Sequence, residues 1–507
     1  MLPPLLTRLF RPEPVGRPRT RLRAEALEAR EVPASLVWTN ATGDGMFWNS
    51  ANWLDLSTGG AAAVGPSGGD DLYFDGDVSS ANCNGIAWAS MRLPTPTYSG
   101  GFVTATVTAS DYNSVNLIDG YAGTVAATGG FNTRVLVVES GAIAQMYGSA
   151  SEVLVSHTFL WTGGTLGGSH ANPDDPNFAA SNSTIRLLGG STSVIDPGAG
   201  NAVAAGSTLT FDTANGLAST AVFRGGTVRF VGGAGVVVDS LSTVTAETGA
   251  ATVTFTDTPQ PGAAAKMIRV KAGGKVYVRG TGGENGGTFE TAIPVMNYGL
   301  FQVERGATAV VKGAVPVGTP ETHPSFYQDT DGAAIRIENG SRLVTEKGLS
   351  LIKGTLATLA AADPPQGSGQ SAAVGGKVSL AGGHVFICEG TAPHVFGTLV
   401  FENDVWLGAV TLHVTVDGRP PGTGDAGKSD LFDFRGGLLD GLAQPVVKVA
   451  TVNVPSGGLN KNQMWEFVKA AQPIAAVKPT VVSETAGVNY QVMDVTQNTA
   501  WVFRPTA

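Results

Sequence analysis

Carboxylates and a histidine that could do acid–base chemistry gather in one stretch of the chain. Asp329 and Asp331 lie two residues apart in Asp-Thr-Asp-Gly, His323 precedes them and Glu338 follows. A polysaccharide lyase or glycoside hydrolase needs positioned carboxylates, or a base supported by a cation, to cleave a sugar chain. Asp329, Asp331 and His323 are therefore the catalytic candidates. The alternative, which we favour, is a polar turn in a long loop from Pro316 to Asp331.

A second group of acidic side chains could bind a metal ion. Asp70, Asp71, Asp75 and Asp77 fall within eight residues. Carboxylate oxygens are the ligands of hard cations, so Ca²⁺ is the ion that fits this cluster. The spacing differs from that of an EF-hand loop, and a set of solvated turns is the simpler interpretation. We therefore expect no cofactor, with Ca²⁺ as the alternative.

Three histidines in the last third of the chain raise the question of zinc. His384 and His394 flank one short segment, and His413 follows further along. A zinc site needs three or four converging ligands, which this spacing does not require. The two cysteines, Cys83 and Cys388, are too far apart in sequence to predict a disulfide, and we expect Cys388 to be a small buried apolar residue.

The elements that would position these residues are short strands built on one recurring template. From Ile268 the template places apolar residues at offsets zero, two, eight and ten, with a glycine at offset five, Gly273. Alternation puts every second side chain on one face of a strand, and glycine permits a sharp turn with φ above zero. Further copies start at Leu136, Val228, Phe301, Ile335 and Val378, and a partial copy starts at Ile185.

This repetition predicts the fold. A single module buries too few side chains to be stable alone, whereas stacked modules share hydrogen bonds and a core. Loops of variable length between the copies favour a solenoid over a propeller, whose blades repeat more evenly. We therefore expect an all-β protein with a right-handed parallel β-helix. A β-sandwich is the alternative fold.

Composition agrees with many short strands and tight turns. Among 507 residues there are 69 glycines, and only 14% are charged, with a formal net charge of −9. The charge is spread thinly and no basic stripe occurs in the body, so we expect no nucleic-acid partner. No run of eighteen apolar residues occurs, so we expect no membrane-spanning helix.

Residues 1–34 differ from the rest, because they are rich in arginine and proline and lack the apolar core of an ordinary secretory signal. Their end, Leu-Glu-Ala-Arg-Glu-Val-Pro-Ala from Leu27 to Ala34, resembles the Leu-Glu-Pro-Arg type tag of exported planctomycete surface proteins, with Ala29 in place of the usual proline. The resemblance implies an export role. The alternative is a disordered basic leader without one.

Tryptophans dominate the segment that follows. Trp38, Trp48 and Asn52-Trp53, followed by Pro66 and then Gly-Asp, resemble the opening of autotransporter-like surface β-helix proteins. A tryptophan-rich cap could close the first coil and protect its edge. The alternative is a platform on which sugars stack, but tryptophan is usually buried, which favours the cap.

The sequence thus divides into four parts. They are a basic leader (1–34), a tryptophan-rich cap with first strands (35–97), a repeat body (98–417) and a C-terminal β segment (418–507) that resembles the closing part of autotransporter passengers. The resemblance implies an exported, surface-associated β-helix protein, and we expect an extracellular or cell-surface protein with a non-enzymatic structural or adhesive role. Its expected partners are extracellular or cell-surface polysaccharides or other surface proteins. The alternative function is a β-helix polysaccharide lyase or glycoside hydrolase.

Overall fold

Strands and the turns between them make up almost all of the part of the chain that the structure describes. The computed structural model describes residues 34–39, 41–44, 49–65, 71–74, 81–84, 90–92, 104–105, 107–110, 124–127, 131–138, 143–146, 152–166, 184–198, 201–205, 208–213, 216–231, 235–248, 252–258, 266–280, 286–315, 323–360, 371–389, 396–420, 428–439, 444–472, 479–495 and 500–506. In these ranges a short 3-10 helix spans Ser50–Asn52, and no helix is long and apolar enough to cross a membrane.

A small sheet forms near the start of the described residues. The first strands are β1 (Ser35–Trp38), β2 (Trp53–Asp55), β3 (Gly60–Ala61), β4 (Asp71–Phe74), β5 (Ala81–Asn84), β6 (Ser90–Arg92), β7 (Thr104–Ala105) and β8 (Val107–Ser110). The sheet has the order β3-β2-β1-β4-β6. Trp53 is only 1% exposed. Buried Asn52 ties the turn before it, because its side-chain oxygen accepts from the Thr42 backbone N–H at 2.9 Å and its Nδ2 donates to Asp44 Oδ1 at 2.6 Å. Trp53 is therefore packed rather than open for stacking.

A long series of parallel strands follows. In chain order these are β9 (Thr124–Ala127), β10 (Phe131–Val138), β11 (Ile143–Met146), β12 (Glu152–Trp161), β13 (Gly164–Leu166), β14 (Thr184–Leu187), β15 (Thr192–Ile195), β16 (Asn201–Ala205), β17 (Thr208–Phe211), β18 (Thr220–Arg224), β19 (Gly226–Val231), β20 (Val236–Val238), β21 (Thr243–Glu247), β22 (Val253–Thr258), β23 (Ile268–Val270), β24 (Lys275–Arg279), β25 (Thr288–Thr291), β26 (Val295–Asn297), β27 (Leu300–Glu304), β28 (Thr308–Val311), β29 (Phe326–Glu338), β30 (Arg342–Thr345), β31 (Leu349–Leu359), β32 (Ser371–Gly375), β33 (Val378–Leu380), β34 (His384–Phe386), β35 (Thr398–Phe401), β36 (Asp404–Leu407), β37 (Thr411–Asp417), β38 (Leu431–Phe434), β39 (Gly437–Leu439), β40 (Val446–Val452) and β41 (Trp465–Ala470).

Three strands make one turn of a coil, and each strand pairs in parallel with its equivalent in the next turn. β23 pairs with β26, β24 with β27 and β25 with β28. We call the faces that contain β23, β24 and β25 face A, face B and face C. The long strands β12, β29 and β31 run through both face A and face B, which joins these faces into one sheet. The protein is therefore a parallel β-helix, as the sequence predicts.

The core lies inside the coil, where alternation along each strand delivers apolar side chains. On β23, Ile268 and Val270 are buried and Arg269 between them is exposed. Phenylalanines from several coils meet inside, and the Phe255 ring lies 5.1 Å from the Phe289 ring in an edge-to-face contact, measured between centroids. Apolar burial along the whole coil is what holds the stack together.

Glycines with positive φ make the corners. Gly306 has a φ of 72° and Gly340 a φ of 87°, and each follows a face B strand and precedes a face C strand. L-residues other than glycine rarely adopt this conformation. The four residues predicted to point inward on the strands before these glycines do so, because all of them are 0% exposed: Phe301, Val303, Ile335 and Ile337. The prediction for these two copies of the template is confirmed.

The structure shows that each copy of the template spans one corner between two faces and not a whole coil, which corrects the prediction. The copy at Ile268 turns from face A to face B, the copy at Phe301 from B to C, and the copy at Val228 from C to A. The copy at Val378 also breaks register: Val385 is buried and Phe386, predicted to be inward, is only half-buried. A one-residue slip exchanges the two faces of a strand.

Two further predictions can be compared with the structure. The predicted loop from Pro316 to Asp331 is wrong at its end, because β29 begins at Phe326 and carries Asp329 and Asp331 within a strand. Cys388 is buried as predicted, at 1% exposed, and burial raises the pKa of its thiol. Its backbone N–H donates to Thr358 Oγ1 at 2.8 Å, which fixes this corner.

The same faces continue beyond Asp417, where the sequence template fades. β42 (Thr480–Ser483) adds to face B in parallel, and β43 (Asn489–Val495) and β44 (Ala500–Thr506) form an antiparallel pair that docks on β41. The ring of Phe503 stacks on that of Phe467 with centroids 3.8 Å apart. This antiparallel pair covers the β41 edge of face C, an edge that could otherwise recruit another strand.

Candidate functional site

The structure places two of the predicted catalytic residues on one strand and the third before it. Asp329 and Asp331 lie on β29, with Asp329 half-buried and Asp331 exposed, whereas His323 precedes the strand. Asp329 lies three residues after Phe326, which is ~10 Å along the strand at ~3.3 Å per residue. The Tyr327 hydroxyl donates to Asp329 Oδ2 at 3.2 Å. Burial, followed by the negative charge of Asp329, raises the pKa of Tyr327, so the pair is a neutral phenol held by a carboxylate.

Glu338, the remaining acidic residue of this group, has a separate role. Its Oε2 accepts from the backbone N–H of Arg305 at 2.5 Å. Arg305 is a non-glycine residue with a φ of 56°, at the corner before Gly306. Glu338 therefore stabilises the turn of the preceding coil.

The predicted metal ligands are only partly visible. Asp70, Asp75 and Asp77, the side chain of Asp71, and His394 all lie outside the described residues. Among the residues that are described, no group of three or more His, Cys, Asp or Glu side chains could hold a metal ion. His384 and His413 do come together, with Nδ1 of His384 3.1 Å from Nε2 of His413.

A row of four outward side chains on face A forms a more coherent site. Tyr327 pairs with Ser350, Ser350 with Ser379, and Ser379 with Trp406, so the four lie on consecutive coils. All four are half-buried, while the strand residues on either side of them are buried. Parallel strands lie ~4.8 Å apart, so three steps place the two aromatic residues ~14 Å apart. We call this row the Tyr327–Trp406 trough.

Two glycines lie close to this row. Gly408 lies two residues after Trp406, and a Cβ built there would lie 3.2 Å from Trp406 Cζ3, so the indole extends along the strand over Gly408. Gly348 lies two residues before Ser350, with a φ of 102° and with the Lys377 carbonyl oxygen 2.9 Å from an added Cβ. A larger residue at either position would disturb the surface. Two serines thus separate the aromatic residues at the two ends of the row.

Charged groups border the trough. Asp329 lies beside Tyr327, Lys377 immediately precedes the strand that carries Ser379, and Asp404 begins the strand that carries Trp406. Aromatic faces offer apolar area to the C–H face of a sugar ring, and hydroxyl, carboxylate and ammonium groups can hydrogen-bond with its hydroxyls. This combination suits a saccharide chain that lies along the coil axis.

Sequence reasoning did not find this site, although one signal was present. Tyr327 and Trp406 are 406 − 327 = 79 residues apart in the chain. Each is the outward residue between two inward ones on its strand, as are Ser350 and Ser379. The sequence therefore predicts that these side chains point outward. It does not predict which coils are neighbours, because that depends on loops of unequal length.

Comparison with known proteins adds little. No protein-family model and no curated protein matches the chain in sequence. Among solved structures, the crystal structure of the Haemophilus influenzae Hap adhesin aligns at 11% sequence identity with a TM-score of 0.23, over 88% of this chain and 60% of that one. A superposition this weak carries no weight, so the β-helix assignment rests on the strand register itself.

Proposed function

We propose that the protein is a non-enzymatic cell-surface β-helix protein with an adhesive role, and that it binds extracellular polysaccharide along the Tyr327–Trp406 trough. The observation that carries the proposal is the pair of aromatic residues separated by two serines on consecutive coils. The four residues are half-buried on the outer side of face A, a position that suits retention of a long polymer better than enclosure of a reacting bond.

The outer surface of face B supports a structural rather than catalytic use of the charged residues. Arg224, Glu247, Arg279 and Glu304 alternate in charge on four consecutive coils. Arg224 Nε lies 3.1 Å from Glu247 Oε2, and Arg279 pairs with Glu304. Opposite charges on neighbouring strands stabilise a sheet modestly and fix its register. These carboxylates are committed to arginines.

The surface location is a proposal that rests on the resemblance of residues 1–34 to an export tag. Cell fractionation and labelling of intact cells with an antibody test it. The proposal requires that the full-length protein is accessible from outside the cell. Recovery in the cytoplasm alone would contradict it.

Binding and catalysis can be separated in one set of experiments. The full-length protein is tested by calorimetry against soluble pectin, alginate and neutral glucans, and each mixture is examined for released sugars. We expect binding of at least one polymer without product release. Trp406→Ala and Tyr327→Ala should each weaken that binding about tenfold, or ~1.4 kcal/mol, because each removes one aromatic contact.

The matched control is Tyr277→Ala. Tyr277 is a half-buried outward tyrosine on face B, with the Arg279 guanidinium 5.7 Å from its ring centroid. Its loss should leave polysaccharide binding unchanged. Equal losses in all three variants would reject the trough. Sugar release that Asp329→Asn or Asp331→Asn abolishes would reject the non-enzymatic proposal and favour a lyase or hydrolase.

A further inference from the structure

Two histidines from consecutive coils face each other on the outside of face B. His384 begins β34 and is exposed, and His413 lies on β37, where it pairs with Phe386 in the strand register. Nδ1 of His384 and Nε2 of His413 are 3.1 Å apart. The ring centroids are 5.3 Å apart. In the absence of any other ligand, one imidazole N–H donates to the lone pair of the other.

The surroundings of His413 hold its ring in place. The ring stacks on Phe386 with centroids 3.9 Å apart and planes inclined by 17°. Its other nitrogen, Nδ1, lies 4.0 Å from Glu484 Oε1, and the His413 side chain is 15% exposed. Lys448, on the next coil, lies 3.8 Å from the same carboxylate oxygen. Nε2 is thus directed towards His384, while Nδ1 faces a carboxylate.

The surroundings of His413 favour a lone pair on the nitrogen that faces His384. The Glu484 carboxylate lies on the Nδ1 side of the ring, 4.0 Å from that nitrogen. It therefore favours the ring proton on Nδ1, which leaves Nε2 as the lone-pair nitrogen.

We propose that His384 and His413 form a two-imidazole site for a divalent transition-metal ion, with Cu²⁺ bound most tightly, followed by Zn²⁺. Imidazole nitrogen is a preferred ligand of both ions, and Cu²⁺ ranks above Zn²⁺ in affinity for such donors. As the ion binds, the proton on Nδ1 of His384, which lies between the rings, moves by exchange with water to Nε2 of the same ring, so Nδ1 of His384 and Nε2 of His413 both offer lone pairs to the metal and no net proton is released. Water completes the coordination shell.

The distance between the two nitrogens fits this assignment. With metal–nitrogen bonds of ~2.05 Å, two nitrogens 3.1 Å apart subtend ~100° at the metal. That angle lies between the 90° of a tetragonal Cu²⁺ site and the ~109° of a tetrahedral Zn²⁺ site. The exposed His384 ring must turn so that both lone pairs meet at one point. Glu484 then serves as the outer carboxylate that orients His413.

The test uses full-length protein freed of metal with a chelator and titrated with CuSO₄ and ZnCl₂ by calorimetry. We expect one tight equivalent of Cu²⁺, a weaker one of Zn²⁺, and nitrogen hyperfine structure from two imidazoles in the electron paramagnetic resonance spectrum of the Cu²⁺ form. His384→Ala should weaken Cu²⁺ binding more than ~100-fold, and Glu484→Gln by ~10–100-fold, the usual effect of losing an outer-shell partner.

His157→Ala is the matched control. His157 is an exposed strand histidine whose Nδ1 lies 2.8 Å from Thr158 Oγ1. It should leave the tight equivalent unchanged. His413→Gln should also abolish tight binding, and because that residue is partly buried its fold is checked by circular dichroism; exposed His384 carries the test if it unfolds. Absence of a tight equivalent in the wild-type protein, or its persistence in His384→Ala, would overturn the proposal.

Discussion

A buried pair of amides inside the corner between faces A and B allows a quantitative test of the fold. Asn297 and Gln328 are both 0% exposed and lie on consecutive coils. Asn297 Nδ2 donates to Gln328 Oε1 at 2.7 Å. Gln328 Nε2 lies 3.2 Å from each of three carbonyl oxygens, those of Ala333, Lys353 and Thr355. These bonds hold β29 and β31 together where their register shifts.

Replacement of Gln328 by alanine should cost about 4 kcal/mol of unfolding free energy. An amide nitrogen has two protons, so Gln328 makes at most two full bonds as donor, and its oxygen accepts the bond from Asn297. Three buried bonds contribute roughly 3 kcal/mol at about 1 kcal/mol each. The carbonyls left without a donor and the cavity left by the side chain add about 1 kcal/mol more.

Urea unfolding followed by circular dichroism measures the effect. Gln302→Ala is the control, because Gln302 is a half-buried outward glutamine whose Nε2 donates to Glu304 Oε2 at 2.7 Å. It should cost under about 1 kcal/mol. Gln328→Leu should cost about 3 kcal/mol, since it fills the space but still loses the three buried hydrogen bonds. A Gln328→Ala cost no larger than that of Gln302→Ala would refute the reasoning.

Three further predictions concern a corner, an ion pair and the leader. Gly306→Val should destabilise the protein by about 2 kcal/mol in the same urea assay, because a β-branched residue resists the φ of 72° found there; a change under about 0.5 kcal/mol would contradict it. Burial acts to raise the pKa of Asp417, but hydrogen bonds from Arg419 outweigh it and the pKa falls below its ordinary 3.8, so Asp417→Asn should cost about 2 kcal/mol at neutral pH. That difference should shrink only as the pH drops below about 4, through the folded-state pKa; a loss already complete at pH 5 would point to another group. Deletion of residues 1–34 should leave the urea midpoint of the body unchanged and remove the protein from the cell surface, and undiminished surface labelling would show that the leader is not the export element.

Local pattern alone was enough to predict the β-helix and much of its interior. Alternation and positive-φ glycine are properties of a few consecutive residues, so the sequence around Phe301 and Ile335 revealed both the inward side chains and the corner. Cys388 was likewise identified as buried. The same local information could not detect the register slip at Phe386, because a shift of one residue depends on pairing with the next coil.

Neighbours across coils were decided only by the tertiary structure. Tyr327 meets Ser350, and His384 meets His413, because parallel stacking aligns strands that loops of unequal length separate in the chain. The pairing of Asn297 with Gln328 has the same origin. Alternation shows whether a side chain points in or out, but the side chain that lies above it comes from another coil, and hydrogen-bond register between the strands selects that partner.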